Sequence, residues 1–194
     1  MAEFKAAINE KVAIFLADGC EEIEALTVVD LLFRAGIPIT SVSITGSRDV
    51  ISSHNVHIVA DTTIDEINFE DYDMLVLPGG LPGTTHLGEC GKLTDAILAQ
   101  YNAGKEVAAI CAAPTVLAKL GILEGKQATC FPAQESAMMG AVLTHAPATV
   151  DGNIITGRGM GCSIPFALTI IEHYLGKEAA DAMAERIVYS GPAR

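Results

Sequence analysis

The chain has few cationic and few aromatic side chains. Its 194 residues include 12 Lys and Arg against 24 Asp and Glu, and Trp is absent. Proteins bind nucleic acids largely by neutralising phosphates with Lys and Arg, so a formal charge of −12 argues against a nucleic-acid partner. Basic clusters with interleaved aromatic residues are also missing. We therefore expect a small molecule or another protein as the partner.

Long apolar runs and paired cysteine motifs are missing too. No segment approaches the about 18–20 apolar residues of a membrane span, and the run from Val12 to Ala17 is too short for a signal-peptide core. The five cysteines are odd in number and none are spaced as CxxC, which argues against a zinc site or a disulfide framework. We expect a cytoplasmic protein with free thiols, no membrane association, no metal and no cofactor.

The apolar residues that are present favour an α/β fold. Val, Ile, Leu and Ala dominate a sequence that is 50% hydrophobic, which is typical of a buried, mostly parallel sheet covered by helices. Apolar strands alternate with helical stretches across short turns, so we predict a three-layer α/β/α sandwich. Residues 1–10 are predicted to form an N-terminal arm and residues 11–194 a single domain. Helices are predicted at 21–35, 86–102, 112–120, 164–175 and 177–186, and strands at 11–17, 37–44, 73–77, 106–110, 127–130, 142–145 and 153–156.

Three turns follow strands at the edge of the sheet where sites of such folds gather, at 19–24, 78–83 and 110–114. In the last of them, Cys111 lies between an apolar strand and a helix, followed by the small residues Ala112 and Ala113. A thiol at a helix N-terminus has a lowered pKa, within about 3.5–7.5 for activated cysteines. The alternative is a buried, inert cysteine, and the local pattern does not separate the two.

The other two turns supply a carboxyl group and bare backbone. Glu21 and Glu22 are explained by the positive end of the helix dipole, but Glu24 precedes the almost wholly apolar stretch 25–29. Burial would raise its pKa and keep it protonated, so that it could donate a hydrogen bond to a thiolate. Pro78-Gly79-Gly80 ends a strand, and its adjacent glycines supply bare backbone N–H groups and allow a ligand to approach closely. With the Ala112 N–H they could form an oxyanion hole; an ordinary turn is the alternative.

The three turns together resemble the DJ-1/PfpI superfamily, and within it the DJ-1 branch. The resemblance runs from about Lys11 to Val188 and depends on the order and spacing of four segments taken together, each of which is weak alone. These segments are Ala17-Asp18-Gly19-Cys20-Glu21-Glu22-Ile23-Glu24, Val76-Leu77-Pro78-Gly79-Gly80, Ala108-Ala109-Ile110-Cys111-Ala112-Ala113-Pro114 and Arg158-Gly159-Met160-Gly161.

The resemblance implies a flavodoxin-like sandwich and a homodimer with the first helix at its interface. It places the nucleophile at Cys111, the carboxylic acid that binds it at Glu24, and the backbone donors at Gly80 and Ala112. It also implies ready oxidation of the cysteine to a sulfinic acid. Two functions follow from the same residues: glyoxalase or deglycase chemistry on a small aldehyde such as methylglyoxal, or a non-enzymatic oxidative-stress sensor or chaperone.

The sequence departs from the family pattern at two places. Many members carry His-Pro where this chain has Phe131-Pro132, so the histidine that could act as a base is missing. His54 and Asn55 stand where Arg-Asp is expected at the rim of the site. The protease branch needs a histidine directly after the nucleophile, and here that residue is Ala112, so a PfpI-type protease is not expected.

Overall fold

The computed structural model describes residues 3–191, in which strands and helices alternate along the chain. The strands are β1 (Val12–Leu16), β2 (Ile39–Ser43), β3 (Asp49–Ile51), β4 (His57–Val59), β5 (Thr62–Thr63), β6 (Met74–Leu77), β7 (Glu106–Ile110), β8 (Gln127–Ala128), β9 (Val142–Leu143), β10 (Ala148–Asp151) and β11 (Ile154–Gly157). The α-helices are α1 (Glu22–Ala35), α2 (Gly83–Glu89), α3 (Gly91–Asn102), α4 (Pro114–Lys119), α5 (Ser163–Leu175) and α6 (Lys177–Arg186).

The central sheet has seven strands in the order β10-β11-β7-β6-β1-β2-β5. Every neighbouring pair is parallel except β10 with β11. The central strands β1 and β6 are buried along their whole length, as strands covered on both faces must be. The predicted α/β fold with a mostly parallel sheet is confirmed.

Apolar residues on the two faces of the sheet form two separate clusters. Val12, Ile14 and Leu16 of β1 belong to the cluster that includes α1, α5 and α6. Ala13 and Phe15 belong to the other cluster, with α3 and α4. Successive side chains of a strand point to opposite faces, so a single apolar run builds both halves of the core and places helices on both sides of the sheet.

The sequence prediction was wrong in three local details. The predicted helix 86–102 is two helices, α2 and α3, which meet at Cys90 with an extended ψ of 94° between the poor helix formers Gly88 and Gly91. The predicted helix 112–120 begins only at Pro114, because the chain turns sharply at Cys111. Strands β5 and β10 were not predicted. Strand β10 is a half-buried edge strand, and the Gly-Asn turn at 152–153 was the hairpin signal that could have revealed it.

Residues 3–10 lie outside the helices and strands but contact the domain. The Phe4 ring lies 5.1 Å from the ring of Phe33 on α1, and the Ala7 N–H donates to the Gly36 carbonyl at 2.8 Å. None of the helices within residues 3–191 combines the length and the apolar character needed to reach across a bilayer.

Candidate active site

Cys111 lies at the end of β7 in a strained backbone conformation. Its φ of 65° is in the left-handed region, which non-glycine residues rarely adopt and which costs about 1–3 kcal/mol. Two hydrogen bonds hold it there: its N–H donates to Gly157 O at 2.9 Å, and its carbonyl accepts from the Phe131 N–H at 2.7 Å. The elbow predicted from the sequence is therefore present, and neighbouring segments from β11 and the loop after β8 fix it.

The structure brings Glu24 beside Cys111. Glu24 lies on the first turns of α1 and is fully buried. Its Oε2 accepts the Gly79 N–H at 2.8 Å, and its carboxyl group lies close enough to the Cys111 thiol to lower the Glu24 pKa. Within the described residues, Oε1 has no hydrogen-bond partner. Since Oε2 is the acceptor for Gly79, Oε1 is the oxygen left to carry a proton.

Backbone N–H groups complete the surroundings of the sulfur. The N–H groups of Ala112 and Gly80, the donors that the resemblance implies, both hydrogen-bond to Cys111. Their role as an oxyanion hole stays a prediction. The role of Gly79 was missed: a Cβ there would lie 2.6 Å from Glu24 Oε2 and 2.7 Å from Cys111 Cβ. The adjacent glycines indicated a close approach, but they did not reveal that one N–H binds the carboxyl group and the next one the thiol.

Burial and mutual charge set the protonation of the Glu24–Cys111 pair. Burial raises the pKa of Glu24 to about 7, against lowering by hydrogen bonds from Cys111 and Gly79. Burial, followed by the charge of Glu24, raises the pKa of the Cys111 thiol to about 12, although the Ala112 and Gly80 N–H groups lower it. While Glu24 is ionised, the expectation of a lowered thiol pKa is therefore wrong.

The effect of Glu24 on the pKa of the Cys111 thiol reverses when Glu24 is protonated. Two anions cannot share this buried site without strong repulsion, so the pair retains one proton between carboxyl and sulfur. With the proton on Glu24, the charge that opposes the thiolate is gone and the carboxylic O–H becomes a donor to sulfur. The pair can thus supply either a thiolate with an acid or a thiol with a carboxylate base.

Three other cysteines, Cys20, Cys90 and Cys130, differ from Cys111 in burial or in the half of the core against which they pack. All five are free thiols, and Cys20 and Cys130 are buried. Cys130 packs in the apolar cluster with α3 and α4, whereas Cys111 packs against the cluster on the other face of the sheet. The Cys130 side chain therefore belongs to the other half of the core, although the next residue, Phe131, donates its N–H to Cys111 O at 2.7 Å.

The rim near the start of α1 carries a cluster of titratable groups at the place where the sequence departs from the family pattern. His54 Nδ1 lies 3.1 Å from Glu22 Oε1 and 3.8 Å from Glu21 Oε2. Within the described chain these three side chains are the group whose spacing could hold a metal ion. An ion pair between a protonated His54 and the two carboxylates explains the same spacing, and we assign no metal to it.

Fold and site together define a class of protein: a flavodoxin-like α/β sandwich with a cysteine at a strand-to-helix elbow, bonded to a buried carboxyl group. The family model of the DJ-1/PfpI family matches residues 10–173, and this chain belongs to that family.

Relatives are similar over nearly the whole chain. Drosophila melanogaster protein dj-1beta is 38% identical over 183 residues, covering 93% of this chain and 98% of the relative. Caenorhabditis elegans glutathione-independent glyoxalase DJR-1.2 is 28% identical and covers 92% and 95%. A solved structure of oxidized Toxoplasma gondii DJ-1 superimposes with a TM-score of 0.90 at 33% identity, covering 94% of this chain and 100% of that one.

Proposed function

We propose that this protein is a cytoplasmic, cofactor-independent glyoxalase that converts methylglyoxal to lactate, with deglycase-type chemistry on related adducts at the same cysteine. The observation that carries the proposal is the contact between Glu24 and Cys111, a nucleophile and a proton carrier in one buried pair. The name of the C. elegans relative supports it at 28% identity.

In the proposed first step, the Cys111 thiolate attacks the aldehyde carbon of methylglyoxal and forms a C–S bond. The carbonyl electron pair moves to oxygen, where the N–H groups of Gly80 and Ala112 can stabilise the negative charge. Glu24 gives its proton to this oxygen, which yields a neutral hemithioacetal and leaves Glu24 as a carboxylate. The carboxylate is then available as a base beside the same carbon.

In the second step, Glu24 takes the proton from the former aldehyde carbon and returns it to the former ketone carbon through an enediol. The hydroxyl proton of the hemithioacetal passes from the first oxygen to the second within the enediol, so the first oxygen becomes the thioester carbonyl and the second the lactate hydroxyl. The product is a thioester of lactate on Cys111, which water hydrolyses to lactate and the free thiol. One carbon is oxidised and its neighbour is reduced, so no external oxidant or reductant is needed. A histidine at position 131 is not required, because Glu24 performs both proton transfers.

The test is product analysis with the purified full chain and methylglyoxal in the absence of glutathione. We expect lactate to form in multiple turnovers, with no requirement for an added metal or cofactor. Consumption of methylglyoxal with only Lys and Arg adducts as products, and no lactate, would rule out the glyoxalase.

A second candidate function is an oxidation sensor based on the same cysteine. Sulfinate oxygens can accept hydrogen bonds from Gly80, Ala112 and a protonated Glu24, and a related protein has been solved in an oxidized state. Cys111 is half-buried, whereas Cys20 and Cys130 are buried. Access and thiolate character govern oxidation, so each of two peroxide molecules would transfer one oxygen to Cys111 sulfur and leave as water.

We therefore expect limiting peroxide to add two oxygen atoms to Cys111 before any other cysteine. Peptide mapping by mass spectrometry measures the order, and Cys162, which is also half-buried, is the internal control. Oxidation of Cys162 or Cys20 ahead of Cys111 would contradict the sensor function.

We also propose that the protein is a homodimer that associates through α1. Ile23 and Leu26 on this helix are 45% and 41% exposed, although most of the other apolar residues of α1 are buried. Light scattering should give twice the 20.3 kDa mass of one chain. Leu26→Lys should shift the mass toward the monomer, while Val150→Lys, on an edge strand, should not. A monomer at micromolar wild-type concentration would refute the dimer.

A further inference from the structure

Three exposed apolar side chains lie on the segments that meet at Cys111. Leu81 follows the end of β6, Met160 follows the end of β11, and Phe131 lies on the loop after β8. Their exposed fractions are 56%, 50% and 45%. Single exposed apolar residues are common on protein surfaces, but these three all lie on segments next to one reactive group. We call Leu81, Phe131 and Met160 the apolar rim.

The backbone holds Phe131 firmly within this rim. Its N–H donates to Cys111 O at 2.7 Å, and its carbonyl accepts from the Gln134 N–H at 2.8 Å. Pro132 follows it and restricts it to the extended conformation that it has, with φ −61° and ψ 134°. Both backbone groups are used, so the position of the Phe131 backbone relative to Cys111 is set by the fold.

Gly159 makes room for the Phe131 ring. Its φ of 166° is extended backbone that any residue can adopt, so conformation alone does not call for a glycine there. A Cβ at this position would lie 3.2 Å from Phe131 Cδ2. The missing side chain therefore lets the aromatic ring lie against the chain that follows Gly157, the acceptor of the Cys111 N–H.

The charges near the rim do not favour an anionic substrate. Arg158 is the one cationic residue in segments 79–83, 131–137 and 157–162, all of which lie within the described part of the chain. Its Nη2 lies 3.5 Å from Glu135 Oε1, and its Nη1 lies 3.3 Å from His145 Nδ1. This cation is already paired, and the whole chain carries a formal charge of −12. A carboxylate or phosphate on the substrate would have no free partner there.

We propose that the apolar rim makes the site selective for 2-oxoaldehydes with an apolar substituent, and that Phe131 is the specificity-determining residue. The inference rests on the proposed glyoxalase function. An aryl group gains most from contact with the Phe131 ring, a methyl group gains less, and hydrogen gains nothing. Phenylglyoxal, methylglyoxal and glyoxal form this series.

The experiment measures kcat/KM for these three substrates with the full chain. Phe131→Ala should lower the value for phenylglyoxal about 10-fold, the low end for an apolar contact in a specificity pocket, with smaller losses for methylglyoxal and glyoxal. Val150→Ala removes an equally exposed apolar side chain from an edge strand and should change none of the three. Equal losses on all three substrates with Phe131→Ala would overturn the proposal.

A second measurement separates this inference from the proposed function. The alkylation rates of Cys111 by N-benzyl iodoacetamide and by iodoacetamide need no turnover, and their ratio is normalised to that of free cysteine. We expect Phe131→Ala to lower the ratio about 10-fold. If no lactate forms but the ratio falls, the glyoxalase is wrong and the rim assignment stands. If the ratio is unchanged by Phe131→Ala, the rim assignment is wrong whatever the turnover.

Discussion

Replacing Cys111 by serine is expected to abolish lactate formation, with a loss of about 1,000-fold or more in kcat/KM. A serine hydroxyl is a far weaker acid than a thiol, so a carboxyl group whose pKa is about 7 cannot hold it as an anion. The bonds from Gly80 and Ala112 cannot restore a nucleophile that never forms. The loss follows from chemistry alone, because serine differs from cysteine by one atom.

The control for this substitution is a second cysteine. Cys90→Ser changes a half-buried thiol between α2 and α3 and should leave turnover unchanged. Both variants should unfold at urea concentrations close to that of wild type, since neither removes a large buried group. Lactate formation by Cys111→Ser within tenfold of the wild-type rate would mean that the reaction takes place elsewhere in the chain.

The sequence predicted the fold well where one physical signal dominated. The runs that became β1 and β6 are continuously apolar, and a strand covered on both faces buries such a run completely. Helix α1 ends at Gly36, whose φ of 77° is one that glycine adopts readily. These signals are local in the chain, so a single sequence is sufficient to read them.

The details of the site depended on register, which is not local. That Cys111 donates to Gly157 follows from how β7 and β11 align in the sheet, and that Cys130 faces the opposite half of the core follows from where the loop after β8 meets the end of β7. A shift of one residue would reverse each side chain, and nothing within the individual segments fixes that alignment. For the same reason the pairing of Glu24 with Cys111 came from the family resemblance, while the local patterns left it open.

The thiol pKa was misjudged because the sequence reasoning weighed the helix terminus and omitted burial. The structure shows that burial is the largest influence on both members of the pair and that it opposes ionisation of each. What favours a thiolate is the proton on Glu24, together with the N–H groups of Gly80 and Ala112. The reactivity of Cys111 is therefore a property of the pair.

Glu24→Gln is the substitution that tests most directly whether the reactivity of Cys111 depends on the proton of Glu24. The amide can still accept the Gly79 N–H and donate a hydrogen bond toward sulfur, but it cannot release or take up a proton. We expect turnover of methylglyoxal to fall about 100- to 10,000-fold, the usual contribution of general acid–base catalysis. Alkylation of Cys111 by iodoacetamide should continue, because the carboxylate charge that opposes the thiolate has been removed.

The pH dependence of stability should differ between the wild type and Glu24→Gln. Burial raises the pKa of Glu24 from the ordinary 4.5 to about 7, so its stabilising contribution is complete below pH 4.5 and is lost as pH rises through about 7. The amide of the variant stays neutral throughout this range. In urea unfolding, the free energy of unfolding of the variant should therefore increase relative to that of wild type between pH 5 and pH 8, by up to about 3 kcal/mol.

Glu24→Ala is the matched comparison, because it removes both the proton and the hydrogen bond. It should lose turnover as Glu24→Gln does, and it should also change the rate at which peroxide converts Cys111 to the sulfinic acid, since no side chain remains to bind the new oxygen. The two variants thus separate proton transfer from hydrogen bonding. Wild-type turnover in Glu24→Gln would exclude Glu24 as the acid–base group and leave the oxidation sensor as the better account of the pair. Unchanged alkylation and oxidation of Cys111 in both variants would mean that the carboxyl group has no influence on the thiol.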